Sequence, residues 1–161
     1  MAILNPQESF FQKFEPIQKN RFQILLPGVP PAMVSAVTIP TPTSNIIFID
    51  HINVRFPVKA KTTFSPWSFS LYNAIAPSSL QILYERFRLG HESLSGRNGY
   101  LDIYSFDFNI QLLDPVNAVV SQFLVKDCVM SSFSGLEFDK SADGLVNITV
   151  TGECSSCELE F

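Results

Sequence analysis

Any chemistry in this 161-residue chain has to come from few residues, because it holds only three cysteines and two histidines. The sharpest pattern is Cys154-Ser155-Ser156-Cys157. A C-x-x-C pair works as a redox dithiol when it opens a helix beside a βαβ unit, where the helix N-terminus stabilises the thiolate. Here the pair closes a run of strand-like sequence with no helical pattern after it. Half a zinc ribbon needs a second pair, and Cys128 stands alone. The pair therefore reads as inert thiols, or as thiols that link chains once they reach an oxidising medium. Three cysteines cannot all pair within one chain. On a regular strand, residues 154 and 157 point to opposite faces, which makes an internal bridge awkward. Cys154 and Cys157 are thus the candidates for cross-links between copies.

The remaining search is negative. His51 and His91 have no metal-like spacing to each other or to a cysteine. His91-Glu92-Ser93 has the residue types of a triad, but neighbours in a loop do not form one. There is no G-x-S-x-G elbow and no phosphate-binding loop. Asp107, Asp114, Asp139 and Asp143 fall at outward strand positions or in turns, as solvated acids do. Asn147-Ile148-Thr149 matches a glycosylation sequon but lies in strand-like sequence. The expectation is no catalytic residue, no cofactor and no metal.

The elements that position these residues are organised around Pro66–Gly90. Trp67, Phe69 and Leu71 alternate with Ser68, Ser70 and Tyr72, the period of a half-buried strand. After Pro77 the spacing becomes Leu80, Leu83, Tyr84, Phe87, one face of a helix. Ser78 or Ser79 can cap it, Arg86 and Arg88 suit its last turn, and Gly90 can stop it. Leu83 and Phe87 are the expected core residues of this helix, and no other segment has a helical period.

Around it the chain reads as strands. Phe10, Phe11 and Phe14 lie on an N-terminal arm, residues 1–19, ahead of a single domain, residues 20–161. Arg21–Leu26 and Val34–Ile39 are strands closed by Pro27-Gly28 and Pro40. Asn45–Phe64 is extended, alternating at Ile52, Val54, Phe56 and Val58. Pro57 within it favours an edge strand or a projecting hairpin. His91–Gly99 is a polar loop. Phe106–Leu112 alternates, Asp114-Pro115-Val116-Asn117 is a turn, and Val119–Met130 returns. Leu136–Phe138 and Val146–Val150 flank Asp143-Gly144, a tight hairpin signal. A last strand ends at Glu158–Phe161. The expected fold is mainly β, a two-sheet barrel or sandwich with one flanking helix.

The chain is 46% hydrophobic and only 16% charged, with 15 Phe and 11 Pro. That is too apolar for disorder and suggests apolar surface left for partners. No apolar run approaches the ~20 residues of a membrane span, and the N-terminus lacks a signal-like apolar region, which predicts a soluble protein made in the cytoplasm. The net charge of −4 is split: residues 1–101 hold nine Lys/Arg against five Asp/Glu, and residues 102–161 hold two against ten. This is no nucleic-acid footprint. It suits a body whose opposite ends attract copies of itself.

The order of these features resembles the tail tube protein of contractile-tailed bacteriophages, related in fold to the hexameric tube protein of type VI secretion systems. The likeness is carried by Asn20-Arg21-Phe22-Gln23-Ile24, Val37-Thr38-Ile39-Pro40, and Phe56-Pro57-Val58-Lys59 through Thr63-Phe64. Trp67-Ser68-Phe69-Ser70-Leu71-Tyr72-Asn73, the following helix and the ending LEFDKSADGLVNITVTG complete it. The cysteine pair is not part of the pattern. The resemblance implies a β-barrel without catalytic residues, assembled as six-fold rings that stack head-to-tail into a hollow tube. It implies a contractile sheath, a baseplate and a tube terminator as partners, and DNA passing through the lumen unbound. It implies a place in the virion tail after assembly in the host cytoplasm. Arg55, Phe56, Lys59 and Lys61 are then candidates for contact with the adjacent ring, and the lumen should be acidic or neutral. Three alternatives stay open. The first is a baseplate, tube-initiator or terminator subunit, or the tube of a secretion or injection machine. The second is a monomeric β-sandwich module binding carbohydrate or peptide. The third is a thiol oxidoreductase, which would need a low thiol pKa at Cys154 or Cys157.

Overall fold

The computed structural model describes residues 16–141 and 143–161; Phe10, Phe11 and Phe14 of the arm lie outside them. In chain order come β1 (Phe22–Leu25), a 3-10 turn (Pro31–Met33), β2 (Val34–Thr38), β3 (Pro42–His51), β4 (Val54–Phe64) and β5 (Trp67–Tyr72). Helices α1 (Ser79–Gly90) and α2 (Leu101–Tyr104) follow, then β6 (Phe106–Leu113), β7 (Val119–Ser134), β8 (Asn147–Glu153) and β9 (Ser156–Glu160).

The fold depends on β7, whose 16 residues serve two sheets. Its first half lies antiparallel between β6 and β9, with Ile110 opposite Phe123 and Val125 opposite Cys157. Its second half pairs with β8, from Val129 opposite Glu153 to Ser134 opposite Thr149. Between the halves the pairing slips and Asp127 takes a left-handed φ of +51°. Asp107 holds that bulge by accepting the Asp127 N–H at 2.9 Å. A bulge bends a strand and raises its twist, so one strand can turn from one layer into the other. The layers are β1-β6-β7-β9 and β2-β5-β8-β7.

The core lies between them. The alternation in β5 turns Trp67, Phe69 and Leu71 inward against Phe106, Phe108 and Ile110 of β6 and Ile148 and Val150 of β8. Trp67 stacks on Phe69 at 5.1 Å and meets Phe108 edge-on at 5.4 Å. Its indole N–H donates to the Glu153 carbonyl at 3.0 Å, so the buried donor is satisfied. Helix α1 starts at Ser78, whose hydroxyl accepts the Gln81 N–H, and Leu83 reaches the core, 2% exposed. Phe87 is half-buried and edge-on to Phe133 at 5.3 Å.

The expected two-sheet β fold is present. Four details differ from the sequence reading. The helix face is not Leu80, Leu83, Tyr84 and Phe87, because Tyr84 is exposed and Ile82 packs on the core instead. Arg86 is half-buried over the Phe106 ring at 4.9 Å rather than simply facing the helix C-terminus. Four residues, Leu101–Tyr104, form a second helix too short to show a period. Finally, Leu136–Phe138 is not a strand and Asp143-Gly144 is not a tight hairpin. Gly135 leaves the ladder with a φ of +82°, where a Cβ would press on the Asn147 carbonyl at 2.5 Å. The chain re-enters the sheet only at Asn147, and the described residues between β7 and β8, 135–141 and 143–146, hold no strand.

Candidate assembly interface

Strands β3 and β4 pair with each other and with no other strand among the described residues. At ~3.4 Å per residue the hairpin extends about 30 Å. Its base is tied down: Ser65 N–H donates to the Thr41 carbonyl at 3.0 Å, and Thr41 N–H to the Ser65 hydroxyl at 2.9 Å. Pro57 lies opposite Phe48 and is tolerated because both strands of a two-stranded sheet are edges.

The register sorts the hairpin into two unlike faces. Ile47 opposite Val58, Ile49 opposite Phe56 and His51 opposite Val54 place five apolar side chains on one face. All five are exposed. The other face carries Ile46, Phe48, Asp50, Arg55, Pro57 and Lys59. There the Arg55 guanidinium lies 4.2 Å from the centre of the Phe48 ring and pairs with Asp50 at 3.5 Å. At the tip Ile52 is 88% exposed and holds a φ of +54°. That conformation is unfavourable for a β-branched residue. Arg55, Phe56, Lys59 and Lys61 are all exposed on this element.

The cysteines are placed differently from the sequence expectation. Cys154 and Cys157 do not share a regular strand; Cys154 is at the corner after β8 and Cys157 is within β9, opposite Val125. Both are half-buried and pack on the core beside buried Cys128. All three are free thiols. Burial, with the neighbouring Cys157 and Glu153, pushes the Cys154 thiol up to about 11. Burial also raises Cys157, and it raises the enclosed Cys128 most strongly. A dithiol catalyst needs the opposite shift. Neither thiol opens a helix.

The other residues singled out for chemistry stay apart. His51 is near the hairpin tip. His91 bonds Asn98 at 3.2 Å across a short bridge in its loop, and the Glu92 carboxylate accepts from Ser95. Asp114 caps its turn, accepting the Val116 and Ala118 N–H groups at 2.9 and 2.8 Å. Asp139 accepts both the N–H and the hydroxyl of Ser141, which holds its carboxyl below the usual range. Among the described residues no three His, Cys, Asp or Glu side chains gather as metal ligands would. No helix there is long and apolar enough to cross a membrane.

One surface was missed by the sequence reading. The outward side of β2-β5-β8-β7 is a grid of small residues: Thr38, Ser68, Thr151 and Ser132 in one row, Ala36, Ser70, Thr149 and Ser134 in the next. Ser70 and Thr149 share a hydrogen bond at 2.9 Å, and Ser132 bonds Thr151. The alternate small polar residues were visible in the sequence, but their cross-strand alignment was not.

The sequence matches no protein-family model and no curated protein. Solved structures share the fold. One is a chain of an extracellular contractile injection system, the PVC sheath–tube complex in its extended state. It is 12% identical with a TM-score of 0.71, and the match covers 98% of this chain and 99% of that one. A chain of the PVC sheath/tube terminator matches at 12% identity and a TM-score of 0.72, over 92% and 99%. Hcp1 from Flavobacterium johnsoniae matches at 12% identity and a TM-score of 0.51, over 86% and 94%. At such low identity the likeness is one of fold, and it agrees with the tube-protein resemblance of the sequence: this chain has a tail-tube-like, Hcp-like β fold.

Proposed function

We propose that this protein is a structural subunit of the tube of a contractile phage tail, closing into six-fold rings that stack into a hollow conduit for DNA. The observation that carries this reading is the extent of the fold likeness, which spans almost the whole of this chain and of a sheath–tube complex chain alike. The hairpin supports it: a ring needs an interface that closes and a stack needs one that does not, and β3–β4 exposes apolar surface that pairs with no other strand among the described residues. Arg55, Phe56, Lys59 and Lys61 would meet the adjacent ring. A sheath protein, a baseplate and a terminator would be its partners in the virion tail, with assembly in the host cytoplasm. The uncharged hydroxyl face of β2-β5-β8-β7 suits a lumen wall, since cations there would neutralise phosphates and hold the DNA. Cross-linking through Cys154 or Cys157 after release would require these packed thiols to become accessible.

Negative-stain microscopy of the purified chain tests the reading. Rings and open-ended tubes are expected; a monomer that stays dispersed at high concentration would overturn it. A second reading, a tube terminator, is favoured by the equally good match to a PVC terminator chain. It predicts single rings that bind a tube end and never elongate.

A further inference from the structure

The three thiols gather where β7 passes from one sheet to the other. On either side of that point β7 keeps one register: Lys126 lies opposite Ser156 of β9, and Val129 lies opposite Glu153 of β8. The two positions between them on each strand are then matched one for one, and Cys128 falls opposite Cys154. The Lys126 carbonyl accepts the Ser155 N–H at 3.2 Å and holds the strands together across the gap. The bulge at Asp127 reverses the alternation of β7, so Val125 and Cys128, three positions apart, are both buried. The corner at Cys154 does the same on the other strand, and Cys154 and Cys157 both pack on the core.

Opposed residues of antiparallel strands have Cα atoms about 4.5–5.5 Å apart, within the ~4.4–6.8 Å that a disulfide spans. Cys157 lies three positions further along, opposite Val125, which at ~3.3 Å per residue is about 10 Å away along the strands. Cys128 is enclosed and Cys154 is half-buried, so Cys154 is the thiol that an oxidant meets first. Charge on Cys154 helps to raise the Cys128 thiol, after burial itself, as their closeness requires. Burial opposes the charged thiolate, but a disulfide is neutral and carries no such penalty.

We propose that Cys128 and Cys154 form a disulfide within one copy when the protein meets a peroxide, leaving Cys157 as a free thiol. The Cys154 sulfur attacks one peroxide oxygen and becomes a sulfenic acid, and the other oxygen leaves as water. The Cys128 sulfur then displaces the sulfenic hydroxyl, which leaves with the Cys128 proton as a second water. Two thiols are oxidised to one disulfide, and one peroxide is reduced to two waters. The bond ties β7 to the β8–β9 corner where β7 changes sheets. It is internal to one copy, so it does not rest on the tube reading.

The test is treatment of the full chain with hydrogen peroxide at about pH 9, where more of Cys154 is ionised than at neutral pH. Alkylation in denaturant and mass spectrometry of tryptic peptides without reductant follow. The peptide holding Cys128 should appear joined to the one holding Cys154, two hydrogens lighter than their sum and with one alkylated cysteine. Trypsin leaves Cys154 and Cys157 on one peptide, so two variants identify the partner. Cys157→Ser should still form the bond, and Cys154→Ser should not. A cross-link constrains the unfolded chain, so oxidised wild type and oxidised Cys157→Ser should each melt roughly 5–10 °C above their reduced forms. Cys154→Ser should show no such rise. The proposal is overturned if all three cysteines stay open to alkylation, or if Cys154 stops at a sulfinic acid. It is also overturned if Cys154→Ser still forms an internal bond, or if non-reducing gels show wild type linking into dimers instead.

Discussion

Cys154 and Cys157 are close in sequence, yet a chain corner separates them and turns both toward the core. Burial disfavours the charged thiolate, and that sets their chemistry. In the folded protein the alkylation rate of Cys154 should keep rising with pH until about 11, whereas the unfolded chain should level off near the ordinary thiol pKa of about 8.5. Mass spectrometry of peptides after timed alkylation reads this directly. A plateau near neutral pH would identify a reactive thiol. The same shift makes stability pH-dependent: the folded state binds more protons above pH ~9, so the contribution is intact below that value and lost as pH rises through about 11. Gly152 makes a second point at this scale. A Cβ there would run into the Trp67 indole and the Val129 carbonyl. Gly152→Ala should therefore cost about 3 kcal/mol. Gly144→Ala, with open space around it, should change stability by less than about 0.5 kcal/mol in urea denaturation.

Helix α1 and the hairpin are opposite kinds of element. The helix is held by what it buries. Leu83→Ala should cost about 3 kcal/mol, within the range for a core leucine. Phe87 is only half-buried beside Phe133, so Phe87→Ala should cost about 2 kcal/mol, less than the 3–5 of a fully enclosed phenylalanine. Equal losses at the two positions would mean that Phe87 is enclosed more than its exposure suggests. The hairpin contributes no strand to the main sheet. Replacing residues 45–62 by a short Gly-Ser linker should leave the melting temperature of the body nearly unchanged while abolishing the proposed stacking. A large fall in melting temperature would assign the hairpin to the fold instead.

For the whole molecule the decisive property is polarity along one sheet, with a net +2 hairpin at one end and a net −2 loop between β7 and β8 at the other. Exposed charges of this kind act mainly on the encounter rate and are screened by salt. Raising salt from about 0.1 M to about 1 M shortens the screening length from ~10 Å to ~3 Å. If copies stack as proposed, elongation followed by light scattering should slow over that range while ring diameter in micrographs stays constant. Unchanged kinetics would mean that these charges do not steer the encounter.

The local elements are written in the order of residues: alternation at Trp67, Phe69 and Leu71, the helix after Pro77, and a hairpin candidate marked by Pro57. These are legible because period and backbone chemistry are properties of neighbouring residues. Composition likewise shows that the chain has few groups for catalysis and that its charge is split. Long-range packing sets the rest: β7 turns at Asp127 to serve both sheets, Ile82 rather than Tyr84 faces the core, and the chain leaves the ladder at Gly135 where Asp143-Gly144 suggested a tight turn. It also packs Cys154 and Cys157 inward and puts the hairpin and the acidic loop at opposite ends of one sheet. Each of these depends on pairing between residues far apart in the chain, and no local period encodes which distant strand supplies the other half of a ladder.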